Sequence, residues 1–405
     1  MEKKYFYLQP QYVSKFKCDG SKCNAHCCNA GWNIFIDKGT YNQYEQLDSQ
    51  EILSHMKFSS DHDGYFITLD EKKTCPFLNE KNLCRIQLAH GENFLSKTCA
   101  TYPRITNNFG YFFERSLILS CPVAAEMILF EREPMQFEFV EVPEKFHSLG
   151  GKNFFQSIYS TKEVKEHFIE IQVAMISILQ ERTLSIDQRL VVLGFFVDRL
   201  EEIFSDLDED ALKKLIAAYE SKKFLAEQVP RLLACVSFNA EKFIRFIIDF
   251  LEHVRDIKDD FDPVHDEKFF GILCGVFKLN VAEVSISVAN YNGLADERKK
   301  FLADYSTFLE NYLVNELFLN IYPWQFEGNF MKNFAAFATL YKFFEAITFS
   351  VWLKGLSNKK NLLELTCWFA TKFDHVDEYK QKIFSFVKNR DEPFSLMESL
   401  FDVRG

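Results

Sequence analysis

Cysteine is distributed very unevenly along this chain of 405 residues, and that distribution limits what the chain can form. Eight of the 11 cysteines fall within the first 121 residues. They form two groups, which are Cys18, Cys23, Cys27 and Cys28, and then Cys75, Cys84, Cys99 and Cys121. Because thiolates are soft ligands for zinc and iron–sulfur clusters, the eight cysteines are candidate metal ligands, with disulfides and buried thiols as the alternatives.

The N-terminal segment and the hydropathy of the chain indicate its compartment. The first residues are basic and lack the apolar core, about 7–15 residues long, of a secretory signal. No run of about 18 uncharged apolar residues occurs, so no membrane insertion is expected. We therefore expect a reducing cytoplasm, where clustered cysteines favour metal binding or catalysis over disulfides.

The charge of the chain argues against a nucleic-acid partner. The net charge is −11, and residues 1–130 contribute nothing to it because they hold 14 basic and 14 acidic residues. The excess of acidic residues therefore lies entirely in residues 131–405. A nucleic-acid binder usually presents a basic surface, so we expect no such partner and interpret the acidic excess as a solvated surface.

Composition and periodicity predict a mainly α protein, in which a small cysteine-rich α+β metal-binding region packs on a larger all-helical body. We place the cysteine-cluster region at residues 1–135 and the mainly helical domain at 136–405. The chain is 47% hydrophobic and has 45 phenylalanines, so it can bury a large core without disulfide staples.

Within the first region, short apolar and aromatic stretches predict strands at 32–36, 64–69 and 109–119. Residues 40–56 are typical of a short helix. Residues 131–146 contain two prolines and alternate acidic with apolar residues, which favours an extended linker or an edge strand.

Helical patterns dominate the rest of the chain. Ser160 with Glu163, and Ser185 with Gln188, have the spacing of a capping box ahead of apolar runs. Further amphipathic runs cover 209–219, 239–256, 266–277 and 296–320. An aromatic stripe from Phe330 to Val351 is typical of helix core packing.

The cysteine spacing leaves the kind of metal site open. It matches neither a zinc finger nor a ferredoxin, and Ala30 stands where a radical S-adenosylmethionine enzyme would have its third cysteine. Eight cysteines suit two four-cysteine sites, one such site with spare thiols, or a binuclear cluster. His26 is an alternative ligand within the first group. Between Cys75 and Cys84, residues 79–82 are able to turn the chain back.

Several motifs resemble known families. The stretches FKCDGSKCNAHCCNAGWNIFID and CPFLNEKNLCRIQLAHGENFLSKTCATYPR resemble the YkgJ-type family of zinc- or iron-chelating cysteine clusters. The opening QYVSKFKC, the Gly31-Trp32 pair, Cys121-Pro122 and the tract FLENYLVNELFLNIYPW at 308–324 resemble the flagellin lysine N-methylase (FliB-like) subgroup.

The resemblance implies a bacterial cytoplasmic enzyme that transfers methyl groups from S-adenosylmethionine to lysine ε-amines of flagellin. It further implies an iron–sulfur cluster, expected as [4Fe–4S], with zinc as the alternative. The ligands would be the eight cysteines named above. Tyr102, Pro103 and Arg104 match the trailing motif of the cysteine-cluster family. Arg104 would neutralise thiolates, hold the carboxylate of S-adenosylmethionine, or form a structural salt bridge.

The catalytic residues themselves are not identified by the sequence. A lysine ε-amine has an unperturbed pKa of about 10.4, so a methylase must desolvate it or supply a base. Tyr102 is the candidate base. No glycine-rich dinucleotide loop is present, so the S-adenosylmethionine site rests on the resemblance alone.

Two other functions compete with this interpretation. The chain would be a non-catalytic zinc- or iron-binding module that docks a partner or handles metal. Alternatively, it would be a redox protein that uses Cys27 and Cys28, although a disulfide between neighbouring residues is strained.

Overall fold

The computed structural model describes most of the chain. The described residues are 4–23, 26–29, 34–47, 49–110, 112–143, 162–206, 208–255, 262–326, 329–375, 377–388 and 393–404. The chain divides into two compact units, which we call the cysteine-rich unit (Met1–Met127 with Gln136–Phe155) and the helical unit (Ile128–Met135 with Gln156–Gly405). The domain division predicted after residue 135 stays a prediction.

The cysteine-rich unit contains seven described strands in two sheets. They are β1 (Lys4–Pro10), β2 (Phe35–Ile36), β3 (Met56–Ser59), β4 (Gly64–Ile67), β5 (Arg104–Asn108), β6 (Phe113–Leu117) and β7 (Phe137–Pro143). The larger sheet has the order β5-β6-β1-β7, and the smaller has the order β2-β4-β3. In the larger sheet β1 pairs parallel with β6 and antiparallel with β7, so Tyr7 lies between Phe113 and Val140.

The strand predictions are confirmed where the structure describes the chain. Strands β2, β4 and β6 lie within the three predicted stretches, although residues 32–33 lie outside the described residues. Strand β7 is an edge strand within residues 131–146, which is one of the two predicted alternatives. Gly64 is required in β4, because a Cβ there would approach Cζ of Phe35 to 2.5 Å.

The helices of the cysteine-rich unit are short. They are α1 (Gln11–Lys15), α2 (Gly20–Cys23), α3 (Lys38–Gln46), α4 (Gln50–Leu53), α5 (Arg85–His90), α6 (Lys97–Thr101) and α7 (Pro122–Leu129), with 3-10 turns at His26–Cys28 and Glu92–Phe94. The prediction of one helix over 40–56 is wrong. Ser49 caps a new helix by accepting a hydrogen bond from the Ile52 amide, and strand β3 already begins at Met56.

The helical unit, in its described residues, is built from helices that follow one another along the chain. They are α8 (Lys162–Leu179), α9 (Ile186–Asp206), α10 (Glu209–Glu220), α11 (Lys222–Ala234), α12 (Ala240–Arg255), α13 (Pro263–Phe277), α14 (Val284–Gly293), α15 (Ala295–Asn320), α16 (Phe330–Leu353), α17 (Lys359–His375), α18 (Asp377–Lys388) and α19 (Pro393–Leu400). The mainly α prediction is therefore confirmed.

Helix α16 forms the centre of the helical unit and packs against α9, α13, α15 and α18. It is the one described helix that is long and apolar enough to cross a membrane, and 94% of its most apolar window is buried inside the protein. The aromatic stripe that begins at Phe330 therefore serves as core packing, as predicted.

The capping box at the start of α9 is confirmed. The Gln188 side chain accepts a hydrogen bond from the Ser185 amide at 3.0 Å, and Ser185 Oγ accepts one from the Gln188 amide at 3.3 Å. These two bonds satisfy amide groups that the helix itself leaves without partners. At the start of α8, Ser160 and the Glu163 side chain lie outside the described residues.

Candidate functional site

All eight N-terminal cysteines line one cavity in the cysteine-rich unit, which we call the thiol chamber. Its volume is about 100 Å³. The two sequence groups therefore meet in space, although about 50 residues separate them along the chain. All 11 cysteines of the chain are free thiols.

The first cysteine group reaches the chamber on short local elements. Cys23 ends helix α2, and Cys27 and Cys28 lie on the following 3-10 turn. The Sγ atoms of Cys27 and Cys28 are 3.9 Å apart, which is well beyond the disulfide bond length of about 2.05 Å. The side chain of His26, the alternative ligand, lies outside the described residues.

The second group reaches the chamber on a tight turn and three helix starts. The Asn82 amide donates to the Asn79 carbonyl at 2.9 Å, which confirms the predicted turn and places Cys84 opposite Leu78. Cys84 then occupies the N-cap of α5, Cys99 lies in the first turn of α6, and Cys121 directly precedes α7.

The positions at helix starts have an electrostatic consequence. The backbone amides there carry partial positive charge, which favours the thiolate form of a cysteine. In the structure burial raises the pKa of Cys121 to about 12 and that of Cys75 to about 11. Thiols with a pKa of about 11 or 12 are neutral at pH 7, so metal binding would have to release their protons.

Cys27 interacts electrostatically with thiols of both cysteine groups. The contact between the Cys27 and Cys28 sulfur atoms lowers the pKa of Cys27 and raises that of Cys28. Desolvation is the largest cause of the raised pKa values of Cys18, Cys75, Cys99 and Cys121, and Cys27 in its ionised form adds to that effect for each of them. Cys27 is therefore close to members of both sequence groups.

The donor set of the chamber suits a soft metal or an iron–sulfur cluster, because it consists of eight thiols. Among the described residues, however, no three His, Cys, Asp or Glu side chains are grouped in an arrangement that would hold a metal ion. The metal-ligand assignment of the eight cysteines, and the metal-binding character of the region, therefore stay predictions.

Arg104 and Tyr102 both line the thiol chamber. Burial lowers the pKa of the Arg104 guanidinium, while the nearby Glu92, Cys18 and Cys121 act in the opposite direction. Arg104 also donates to the Phe16 carbonyl at 3.3 Å and stacks on the Phe16 ring. Its predicted roles, which are to neutralise thiolates, to hold a carboxylate or to form a structural salt bridge, stay predictions.

The hydroxyl of Tyr102 lies 3.0 Å from Oγ of Ser120. Its assignment as the catalytic base stays a prediction. Glu92 and Tyr44 are among the chamber residues that the sequence analysis did not identify. The Tyr44 hydroxyl donates to the Phe94 carbonyl at 2.6 Å. Because Tyr44 lies in an ordinary helical pattern, the sequence gave no indication that it lines the chamber. The one sequence signal for Glu92 is its position between Cys84 and Cys99.

A wider groove of about 670 Å³ adjoins the chamber in the same unit. Glu92, Leu95, Ala100 and Arg104 line both spaces. Arg104 and Glu92 are therefore shared between the groove and the thiol chamber.

Fold and site together define a mainly helical protein with a chamber of cysteine thiols in a separate N-terminal unit. The sequence model of the FliB lysine N-methylase C-terminal domain matches residues 172–400, and the chain belongs to this family. The matched residues lie in the helical unit. The thiol chamber lies outside them, so membership of the YkgJ-type cysteine-cluster family stays a prediction.

The names of similar curated proteins are consistent with membership of this family. The chain is 27% identical over 219 residues to lysine-N-methylases of Salmonella typhimurium and of Salmonella choleraesuis. That match covers 52% of this chain and 51% of each relative, so the chain spans about half the length of these curated relatives. It is 33% identical over 134 residues to the flagellar biosynthetic protein FliU of Salmonella muenchen, covering 31% of this chain and 79% of FliU. No solved structure matches the chain significantly.

Proposed function

We propose that this protein is a protein-lysine N-methyltransferase that acts on lysine ε-amines of flagellin and takes its methyl group from S-adenosylmethionine. The observation that carries the proposal is the match of residues 172–400 to the FliB lysine N-methylase C-terminal domain. The names of the relatives, lysine-N-methylase and flagellar biosynthetic protein, support the reaction and the flagellar substrate. The reaction would take place in the cytoplasm, before flagellin is exported.

The reaction needs a neutral amine. The lone pair of the lysine nitrogen attacks the methyl carbon, the carbon–sulfur bond breaks with its electrons going to sulfur, and S-adenosylhomocysteine leaves. Because the unperturbed ε-amine has a pKa of about 10.4, its proton must pass to a base or to water before the attack. Tyr102, the candidate base from the sequence analysis, would take this proton as its phenolate and become the neutral phenol. Its oxygen lies 3.0 Å from Oγ of Ser120.

We propose further that the thiol chamber holds an iron–sulfur cluster, expected as [4Fe–4S], with zinc as the alternative. The eight cysteines would supply the ligands, and Arg104 would offset part of their negative charge. When bound, such a group supplies folding free energy to the cysteine-rich unit and a positive centre that holds its thiols in the deprotonated form.

Methyl transfer tests the proposal directly. Protein purified without oxygen is incubated with flagellin and S-adenosylmethionine labelled in its methyl group, and flagellin is then analysed by mass spectrometry. We expect labelled methyl groups on lysine side chains of flagellin. We expect none when the substrate is flagellin whose lysines have been chemically acetylated. Absence of transfer to flagellin, with the cofactor bound and the protein folded, would reject the proposed substrate.

One observation favours the non-catalytic alternative for the cysteine-rich unit. The thiol chamber is formed by residues 16–123, whereas the family match begins at residue 172. A metal-handling or partner-docking module in this unit is therefore the second candidate function. Iron with acid-labile sulfide, at about four of each per chain, would support the [4Fe–4S] assignment, and zinc without sulfide would support a structural site.

A further inference from the structure

The groove beside the thiol chamber contains two opposite charges that the structure holds close together but does not pair. Its volume of about 670 Å³ falls within the range of about 300–1,000 Å³ that is typical of small-molecule sites. Arg104 and Glu92 line both the groove and the chamber. What these two side chains can bind together follows from the contacts that each of them makes.

Arg104 lies at the start of β5 and presents hydrogen-bond donors to this space. Its guanidinium lies 5.1 Å from the centre of the Phe16 ring, and one nitrogen donates to the Phe16 carbonyl at 3.3 Å. A guanidinium has five N–H donors, and this bond uses one of them. The other nitrogens of Arg104 have no hydrogen-bond partner among the described residues, and none of them is buried. Arg104 therefore keeps donors for the oxygen atoms of a ligand.

Glu92 supplies a carboxylate that makes no bond within the protein. It lies in the 3-10 turn Glu92–Phe94, and its side chain is exposed and accepts no hydrogen bond from the described residues. Its charge acts on the Arg104 guanidinium, so the two groups are neighbours. In the described part of the chain, however, no ion pair joins them. A cation and an anion that are close but separated leave a gap for a group that carries both charges.

Arg115 adds positive charge on the same side of the sheet as Arg104. Arg104 pairs with Leu117 and Thr106 pairs with Arg115, so the two arginines lie on one face of strands β5 and β6. Arg115 is buried against the Tyr7 ring, 4.0 Å from its centre, and the charge of Arg104 acts on it. Two neighbouring guanidinium groups favour an anion beside them, because the anion offsets their repulsion.

The mixture of charges in the groove indicates the class of ligand. Lys97 and the two arginines line the groove together with Glu92 and Glu141. A polyphosphate would meet two carboxylates there, and a simple cation would meet three basic side chains. An α-amino-acid group carries a carboxylate and an ammonium group on the same carbon atom. It therefore matches a guanidinium and a carboxylate that face one gap.

The rest of the groove suits a longer molecule that carries such a group. Leu95, Ala100 and Val140 are half-buried and give it apolar surface. The exposed side chains of Gln43 and Asn93 also line it, and each amide both donates and accepts hydrogen bonds. An apolar surface with a few polar groups is the usual lining of a small-molecule site.

We propose that Arg104 and Glu92 form a binding site for an α-amino-acid group, with its carboxylate on Arg104 and its ammonium group on Glu92. Such a group has two sources, which are the amino-acid end of S-adenosylmethionine and a free amino acid. The first source rests on the proposed methyltransferase function and places that end of the cofactor beside the thiol chamber.

Ligands that differ by one charged group test this site. Equilibrium dialysis of the anaerobically purified full chain measures the affinities for S-adenosylmethionine and for decarboxylated S-adenosylmethionine, which keeps only the ammonium group. We expect Arg104→Gln to weaken the first about tenfold and to leave the second unchanged. Glu92→Gln should weaken both by about three- to fivefold, because both keep the ammonium group and Glu92 is exposed. The control Lys38→Gln, at an exposed ion pair with Asp63, should change neither.

L-methionine distinguishes the two sources of the group. If L-methionine binds and S-adenosylmethionine does not, and both substitutions weaken L-methionine, the site is supported and the proposed cofactor is wrong. If S-adenosylmethionine binds and neither substitution changes its affinity in a folded protein, the site is overturned and the proposed function remains. If none of the three ligands binds to the unsubstituted protein, the site is overturned as well.

Chemical protection of the unsubstituted protein provides a readout that does not depend on variant folding. Phenylglyoxal modifies accessible arginine side chains, and mass spectrometry of the digested protein measures the modification of Arg104. We expect saturating S-adenosylmethionine, or L-methionine where it alone binds, to protect Arg104. Arg85, in an exposed ion pair with Glu51, is the internal reference and should react equally with and without ligand. Unchanged modification of Arg104 in the presence of bound ligand would overturn the site.

Discussion

Nη1 of Arg189 lies 2.8 Å from a carboxylate oxygen of Glu310, and the two side chains are only 3% and 1% exposed. Arg182 reaches the same carboxylate, also at 2.8 Å, from the edge of the helical unit. A buried ion pair is costly to break from one side, because the remaining charge stays buried without a partner. Glu310 therefore ties helices α9 and α15 together.

We predict that Glu310→Gln destabilises the protein by about 3 kcal/mol, because two arginines then lose their counter-charge. Urea unfolding followed by circular dichroism measures the loss. Glu241→Gln, which removes an exposed pair with Arg245, is the matched control and should cost less than about 1 kcal/mol. Equal losses of unfolding free energy for the two substitutions would show that the buried pair stabilises the protein no more than an exposed pair does.

Glu316 lies six residues further along the same helix. Its substitution by glutamine should stabilise the protein at pH 8, in contrast to Glu310→Gln. Its side chain is buried, and burial and the negative charge of Asp374 raise its pKa well above the usual value. Asn320 donates to one carboxyl oxygen at 2.9 Å. The folded protein therefore holds Glu316 neutral, whereas the unfolded chain ionises it above a pH of about 4.3.

The contribution of Glu316 to stability is fully present below a pH of about 4.3, and it is lost as the pH rises towards the raised pKa of the folded state. The expected slope is at most about 1.4 kcal/mol per pH unit. We predict that Glu316→Gln removes this slope and raises the melting temperature at pH 8. A variant that is less stable than the unsubstituted protein at pH 8 would show that the ionised carboxylate is needed.

Two helix glycines provide a prediction about packing. A Cβ at Gly194 in α9 would lie 2.6 Å from Sδ of Met397 and 2.9 Å from Cε1 of Phe334, whereas a Cβ at Gly271 in α13 meets nothing within 4 Å. We predict that Gly194→Ala destabilises by about 1–3 kcal/mol through overpacking. Gly271→Ala should stabilise by about 0.5–1 kcal/mol, because alanine loses less backbone entropy in a helix. Thermal unfolding of both variants distinguishes the two effects.

The chamber cysteines are tested by pairs of substitutions. We predict that Cys75→Ser with Cys99→Ser, and equally Cys18→Ser with Cys121→Ser, remove bound metal and lower solubility. Cys235→Ser with Cys274→Ser is the control, because neither residue lines the chamber. Metal per chain is measured by elemental analysis. Unchanged metal content in the two chamber variants would show that these cysteines are not ligands.

Tyr102→Phe tests the candidate base. If Tyr102 takes the lysine proton as its phenolate, the substitution should lower the rate of methyl transfer about 100-fold or more, with metal content unchanged. Tyr44→Phe is the control, because it removes another chamber hydroxyl whose partner is the Phe94 carbonyl. A Tyr102→Phe enzyme with full activity would exclude this role, and the base would then be sought in the helical unit.

Long amphipathic helices were the most predictable part of the fold. Helices α9, α12, α15 and α16 follow runs of apolar residues at helical spacing. Helix α11 was missed because Pro230 lies inside it, and α14 because its apolar residues do not repeat at helical spacing. In both cases packing within the helical unit overrides weak local preference.

The sequence by itself determined the helical periodicity, the two cysteine groups and the turn between Asn79 and Asn82, because each depends on residues close together in the chain. Only the tertiary structure decided that the two cysteine groups share one chamber, and that Lys342 of α16 pairs with Asp187 of α9. Such contacts join residues far apart in sequence. They form when burial of apolar surface brings the elements together, and no local pattern encodes that distance.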